Sequence, residues 1–250
     1  MLGENHQITV STMGNLAGTY SRQGKHREAE VLHKQCLDKM KAILGENHPN
    51  TLHTMNNLAN TYNYQGKYRE AEVLFKQCLD KMKAVLGESH PDTLASMNNL
   101  AVTYKHQGKN RDAEVLYKQC LDMEKVVLGE SHPDTLRTMN NLATTYKHQG
   151  KYRDAEVLFK QCLDKQKAVL GESHPDTLGS MNNLADTYRS QDKYREAEVL
   201  FKLCLDKIKE EHGENHSSAF NSMNGLADQD KYQDAEVLYK QCLAKRTEVL

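Results

Sequence analysis

The sequence predicts an all-α protein, an α-solenoid in which antiparallel helix pairs stack into a right-handed superhelix with no strands. Three observations predict it. Cys36, Cys78, Cys120, Cys162 and Cys204 are each 42 residues apart, and Cys242 follows after 38. The surrounding residues recur with them, so that the units beginning at Ser89 and Ser131 share 34 of 42 residues. Within each unit apolar residues fall at helical spacing, and no segment alternates with the period of a strand.

The unit from Ser89 to Glu130 sets out each element in order. Ser89-His90-Pro91-Asp92 is a helix start: Ser89 or His90 at the cap, proline in the first turn, and an acid at the positive end of the dipole. Leu94, Met97, Leu100, Ala101 and Tyr104 then give helix A one apolar face. Gly108 ends it. Helix B carries the stripe Ala113, Leu116, Tyr117, Cys120, Leu121 and Val127, and Gly129 closes it. One such hairpin cannot bury both of its faces, but stacked copies can.

Repetition places six units at about 8–46, 47–88, 89–130, 131–172, 173–214 and 215–250. Only the end units depart from the pattern. The first has Gly14, Gly18 and His33 where the others have asparagine, a varied residue and an aromatic. The last lacks counterparts of Thr187 to Ser190, about one helical turn. The start at Leu2-Gly3-Glu4-Asn5-His6 matches the linker Leu44-Gly45-Glu46-Asn47-His48, and the chain ends at Leu250 on a helix B. Both features suggest a piece of a longer array whose ends could self-associate.

Composition narrows the function. The net charge is -1 and hydrophobic residues make up 38%. A near-neutral chain has no electrostatic footprint for nucleic acid. No apolar run approaches the 18 or so residues of a transmembrane helix, and the N-terminus lacks a signal-peptide pattern. The expectation is a cytoplasmic protein with no nucleic-acid or membrane partner. Once-per-repeat cysteines on the apolar stripe, without a Cys-x-x-Cys pair, read as buried small hydrophobes rather than disulfides or metal ligands. The linker histidines His48 and His90 are about one repeat apart, too far to share an ion. No phosphate loop or recurring nucleophile–base pair appears, so neither a cofactor nor an enzymatic activity is expected.

Repeat 2 carries Met55, Leu58, Ala59 and Tyr62 in helix A, then Ala71, Phe75 and Cys78 in helix B. This pattern resembles the tetratricopeptide repeat, and the 42-residue unit with its Leu-Gly-Glu-Ser-His-Pro linker is similar to the kinesin light chain type. That family's proline near the end of helix B is replaced by Lys83 and its counterparts, consistent with a helix that continues. The resemblance implies a protein-interaction scaffold whose A helices line a concave groove for peptides.

Counting from the signature, repeat 2 should present His53, Asn56, Asn57, Asn60, Asn63 and Tyr64 to that groove. Repeat 3 should present Asn98, Asn99, Val102, Lys105 and His106. Repeat 4 should present Arg137, Asn140, Asn141, Thr144, Lys147 and His148, and repeat 5 Asn182, Asn183, Asp186 and Arg189. Most of these positions vary between repeats, whereas Glu30, Glu72, Glu114, Glu156, Glu198 and Glu236 on helix B do not. Nor do Lys34, Lys76, Lys118, Lys160, Lys202 and Lys240 four residues on, which read as surface ion pairs. The contrast suggests grooves that diverged to make separate contacts. The Asn-Asn pairs form a constant ladder whose amides could hold a peptide backbone, with one asparagine of each pair able to bond the neighbouring repeat instead. Lys105, Arg137, Lys147 and Arg189 make the middle of the groove basic, while Asp186 and Asp228 make its C-terminal end mixed. The expected ligand is an extended acidic segment bound centrally, at that basic middle, and the kinesin light chain resemblance also implies an acidic ligand. The alternative is a structural array acting by end-to-end association or packing against other domains.

Overall fold

A histidine and a proline start most of the A helices. His48, His90, His132 and His174 have extended backbones, and each Nδ1 accepts a hydrogen bond from the N–H two residues on at 3.1–3.2 Å. Proline follows in the first turn, where its missing N–H costs nothing. Of the two cap candidates in the linker, His90 takes the position. The computed structural model describes Gly3, residues 6–212 and residues 219–227.

Two compact units are present, Met1–Glu130 and Ser131–Leu250. In unit 1 the helices are α1 (Gln7–Arg22), α2 (His26–Leu44), α3 (Pro49–Tyr64), α4 (Tyr68–Leu86), α5 (Pro91–His106) and α6 (Asn110–Val127). In unit 2 they are α7 (Pro133–His148), α8 (Tyr152–Leu170), α9 (Pro175–Arg189), α10 (Tyr194–His212) and α11 (Ala219–Ala227). Odd-numbered helices are A helices and even-numbered ones B helices, in consecutive antiparallel pairs, with no strand among the described residues. The fold is an α-solenoid. The sixth repeat beyond Ala227, including Cys242, Glu236, Lys240 and Asp228, and both chain ends lie outside the described residues.

The turn within each pair needs a left-handed backbone. Gly66 supplies it with φ 73°, letting Lys67 N–H reach the Tyr62 carbonyl at 2.9 Å. In repeat 5 Asp192 takes the same role at φ 61° and accepts a hydrogen bond from the Tyr194 hydroxyl at 2.8 Å.

Repeats 2 to 5 bury the same positions. In repeat 2 Leu52, Leu58, Ala59, Ala71, Phe75, Cys78, Leu79 and Met82 are buried, and burying an aromatic or aliphatic side chain contributes about 1.5–3 kcal/mol. The thiols of Cys36, Cys78, Cys162 and Cys204 point at a carbonyl of the paired A helix, for example Cys78 Sγ to Leu52 O at 3.2 Å. All five described cysteines are buried and unbridged. Burial pushes the Cys78 and Cys162 thiols up to about 11.

One expectation for helix B is corrected. Val127 does not close the stripe of α6: it is 44% exposed, and Glu124 is buried instead. Glu124 is the counterpart of Met82, which packs inward in repeat 2. Val127 sits in the last turn of an 18-residue helix whose partner α5 has 16, and its counterparts Val85 and Val169 are exposed too.

Candidate functional site

The curvature of each unit follows from which helices touch. In unit 1 α1 meets α3 and α3 meets α5, whereas α2, α4 and α6 do not touch one another among the described residues. In unit 2 α7 meets α9 and α9 meets α11, whereas α8 and α10 stay apart. A stack whose A helices are closer than its B helices bends with the A helices inside.

The asparagine ladder divides into two rows. The first asparagine of each pair is buried in unit 1 and turns toward the next repeat in unit 2. Asn56 and Asn98 are buried. Asn140 Oδ1 accepts from Ser180 Oγ at 3.1 Å and Asn183 Nδ2 at 3.3 Å, and Asn182 Oδ1 accepts from Ser222 Oγ at 2.8 Å. The Asn140 and Asn182 amides join repeats. The second row, Asn57, Asn99, Asn141 and Asn183, stays half-buried on the inner face.

Asn63 is also engaged between repeats, its Nδ2 donating to Thr103 Oγ1 at 2.9 Å. Tyr64 stacks on His26 and His106 on Tyr68, with ring centroids 5.4 and 5.2 Å apart. His53 and His148 are exposed, and Asn60, Val102 and Lys105 are half-buried. Thr144 bonds back to the Asn140 carbonyl at 2.9 Å.

The expected basic middle is modified by neighbouring acids. Asp186 lies 3.5 Å from Lys147 and 3.1 Å from Arg189, and Asp134 lies 2.8 Å from Arg137. On α7 and α9 three aspartates, Asp134, Asp176 and Asp186, face three cations, Arg137, Lys147 and Arg189. In unit 1 the balance differs: α1 and α3 carry no carboxylate and α5 only Asp92, against Arg22 and Lys105.

The constant glutamates of helix B are clasps as well as surface pairs. Glu30 binds Lys34 of its own helix at 2.6 Å and Lys67 of the next repeat at 2.7 Å. Glu72 does the same with Lys76 and Lys109, and Glu156 with Lys160 and Lys193. The lysine pairs flank Tyr62, Tyr104 and Tyr188 at 5.4–5.7 Å from the ring centre. Partial burial would raise the Glu72 carboxyl, but hydrogen bonds from Lys109, Lys76 and Gln107 outweigh it and hold it at about 2. Their constancy therefore reflects an inter-repeat contact. A better reference for the varying inner face is the row Val31, Val73, Val115, Val157 and Val199, which is 56–66% exposed and still does not vary.

Sequence reasoning missed one feature. A cavity of about 740 Å³ opens on the inner side of repeats 1 and 2, lined among others by Gly14, Gly18, Arg22, His26, His33 and His53. The signal was present in Gly14, Gly18 and His33, but they read only as the irregularities of an end repeat.

Stacked hairpins with a varied polar inner face define an interaction scaffold built by repetition. The tetratricopeptide repeat profile matches residues 8–84, 116–168, 134–210 and 176–248, and a second profile of that description matches 93–134. The chain belongs to the tetratricopeptide repeat family, and its repeats are of the kinesin light chain type. It is similar to the crystal structure of a Podosopora anserina putative kinesin light chain with nearly identical TPR-like repeats (28% identity, TM-score 0.70, covering 83% of this chain and 98% of that one). BtubC (BKLC) from P. vanneervenii shares the fold at 19% identity and TM-score 0.70, covering 96% and 92%. So does NprR in complex with its cognate peptide NprX, at 16% identity and TM-score 0.67, covering 96% and 66%. No curated protein sequence matches the chain. No described helix is long and apolar enough to cross a membrane.

Proposed function

We propose that this scaffold holds an extended acidic segment of a partner protein along the inner face of unit 1, as a binding module and not as a catalyst. The observation that carries the reading is the charge of that face: two cations, Arg22 and Lys105, and one carboxylate on three A helices. Half-buried Asn57 and Asn99 each offer an amide donor and acceptor to a passing backbone, whatever the side chains. A neighbour of the same fold, NprR, has been solved with its cognate peptide.

The test is an array of acidic, neutral and basic peptides probed with the purified chain at low and high salt. Acidic peptides should bind, and more weakly at high salt, since exposed charges beyond about 8–10 Å are screened. Binding of neutral or basic peptides in preference to acidic ones would overturn the reading. The control must spare Asn56, Asn98, Asn140 and Asn182. Changing these to alanine would disturb the buried Asn56 and Asn98 and the inter-repeat bonds of Asn140 and Asn182, and not the inner face alone.

A further inference from the structure

Three A helices meet the B helix before them in the same way. Leu58 of α3 joins Leu37 of α2 in one apolar cluster, Leu100 of α5 joins Phe75 and Leu79 of α4, and Leu184 of α9 joins Phe159 and Leu163 of α8. A glutamine just past each A helix donates to the backbone carbonyl of that B helix's first residue: Gln65 to His26, Gln107 to Tyr68 and Gln191 to Tyr152, at 2.6–3.1 Å. Lys67, Lys109 and Lys193 complete each seam on Glu30, Glu72 and Glu156 at 2.7 Å.

Repeat 1 carries one half of such a seam without the other. Leu16, Gln23 and Lys25 stand at the same three positions. Leu16 is 44% exposed, against 3–4% for Leu58, Leu100 and Leu184, and Thr19 is exposed where Thr61, Thr103 and Thr187 are buried. Neither the Gln23 amide nor the Lys25 ammonium has a hydrogen-bond or carboxylate partner among the described residues. Lys25 lies 5.7 Å from the Tyr20 ring centre, and no second lysine flanks that ring among the described residues, whereas Tyr62, Tyr104 and Tyr188 each sit between two. Covering Leu16 would take apolar surface out of water, and the three complete seams show what covers it: a helix with the side chains of helix B. Residues 232–250 lie outside the described residues, but their sequence carries those side chains. Ala235 to Leu243 differ from Ala71 to Leu79 of α4 only in Tyr239 for Phe75, so Glu236 and Lys240 stand at the positions of Glu72 and Lys76. Pairing two α1 faces is disfavoured, because α1 has no acidic residue to answer Lys25.

We infer that this face of α1 docks residues 232–250 of a second copy of the chain, with Leu16 against the second copy's Tyr239 and Leu243, and Lys25 on the second copy's Glu236. The two patches differ, so the contact is heterologous and adds copies head to tail. The inference goes beyond the peptide reading and does not rest on it, since Gly14, Gly18 and Arg22 on the inner side of α1 take no part.

The test is sedimentation equilibrium of the full chain across roughly 1 µM to 1 mM, the range in which a modest interface associates. The weight-average mass should rise with concentration. Leu16→Glu and Lys25→Glu should each weaken association at least about tenfold. Both positions are exposed, so these variants should melt with the parent. A charge exchange separates a specific seam from general stickiness. At the concentration where half the parent is associated, Lys25→Glu and Glu236→Lys should each be monomeric alone. Mixed, they should associate, because every seam between unlike copies then joins opposite charges. A parent that stays monomeric throughout, association that survives Leu16→Glu or Lys25→Glu, or a mixture no heavier than its components overturns the inference. Acidic-peptide binding by a chain that stays monomeric would leave the scaffold reading standing and this contact refuted.

Discussion

Unit 1 and unit 2 build their inner faces from nearly the same helix, yet they present different chemistry. In unit 2 Asp186 holds both Lys147 and Arg189, so the cations of that face are answered from within it. In unit 1 the same position reads Gly18, Asn60 and Val102, and no carboxylate takes the place of Asp186. The scaffold is shared, and single substitutions at one repeating position decide whether a face attracts an anion. Unit 1 also carries the opened cavity at its first repeat.

The largest expected effect separates the two faces directly. Arg22→Glu with Lys105→Glu should weaken binding of an acidic peptide at least about tenfold, since reversing a charge replaces attraction with repulsion. Arg137→Glu with Arg189→Glu in unit 2 should change it far less, as measured by fluorescence anisotropy. Next comes the seam between repeats. Asn140→Ala leaves the Ser180 hydroxyl and the Asn183 amide without their shared acceptor, and should cost about 1–3 kcal/mol in urea unfolding.

The clasp should cost less. Glu72→Gln removes one carboxylate shared by two lysines, a loss of about 1 kcal/mol. Because the folded state holds that carboxyl at about 2 rather than 4.5, its contribution is full above 4.5 and is lost as pH falls toward about 2. The parent and Glu72→Gln should therefore converge in stability over that window. The smallest effect sharpens the comparison from the other side. Asp186→Asn removes the carboxylate beside Lys147 and Arg189 and should tighten acidic-peptide binding on unit 2 by roughly threefold, a change of less than 1 kcal/mol.

Much of this was legible in the sequence. The recurring cysteines, the Met55–Leu58–Ala59–Tyr62 spacing and the linker glycines specify the helices and the buried set, because local periodicity and turn chemistry operate over a few residues. The candidate site was less legible. Asn140 and Asn182 are each spent on a hydroxyl 40 residues away, and such a partner has no local signature. The constant glutamates looked like surface pairs because their i+4 lysines are visible in sequence, while the cross-repeat lysines 37 residues on are not. Val127 was misplaced because periodicity does not say which turn of a helix overhangs its partner. Gly14, Gly18 and His33 were visible as departures, but only packing brings them together around a cavity.

The central claim is that unit 1 is the binding face. Backbone NMR of the ¹⁵N-labelled chain, titrated with the strongest acidic peptide from the array, tests it most directly. The account predicts shifts on the inner side of α1, α3 and α5, near Arg22, Asn57, Asn99 and Lys105, with α7 and α9 little affected. Shifts confined to the B helices or to α7 and α9 would contradict it.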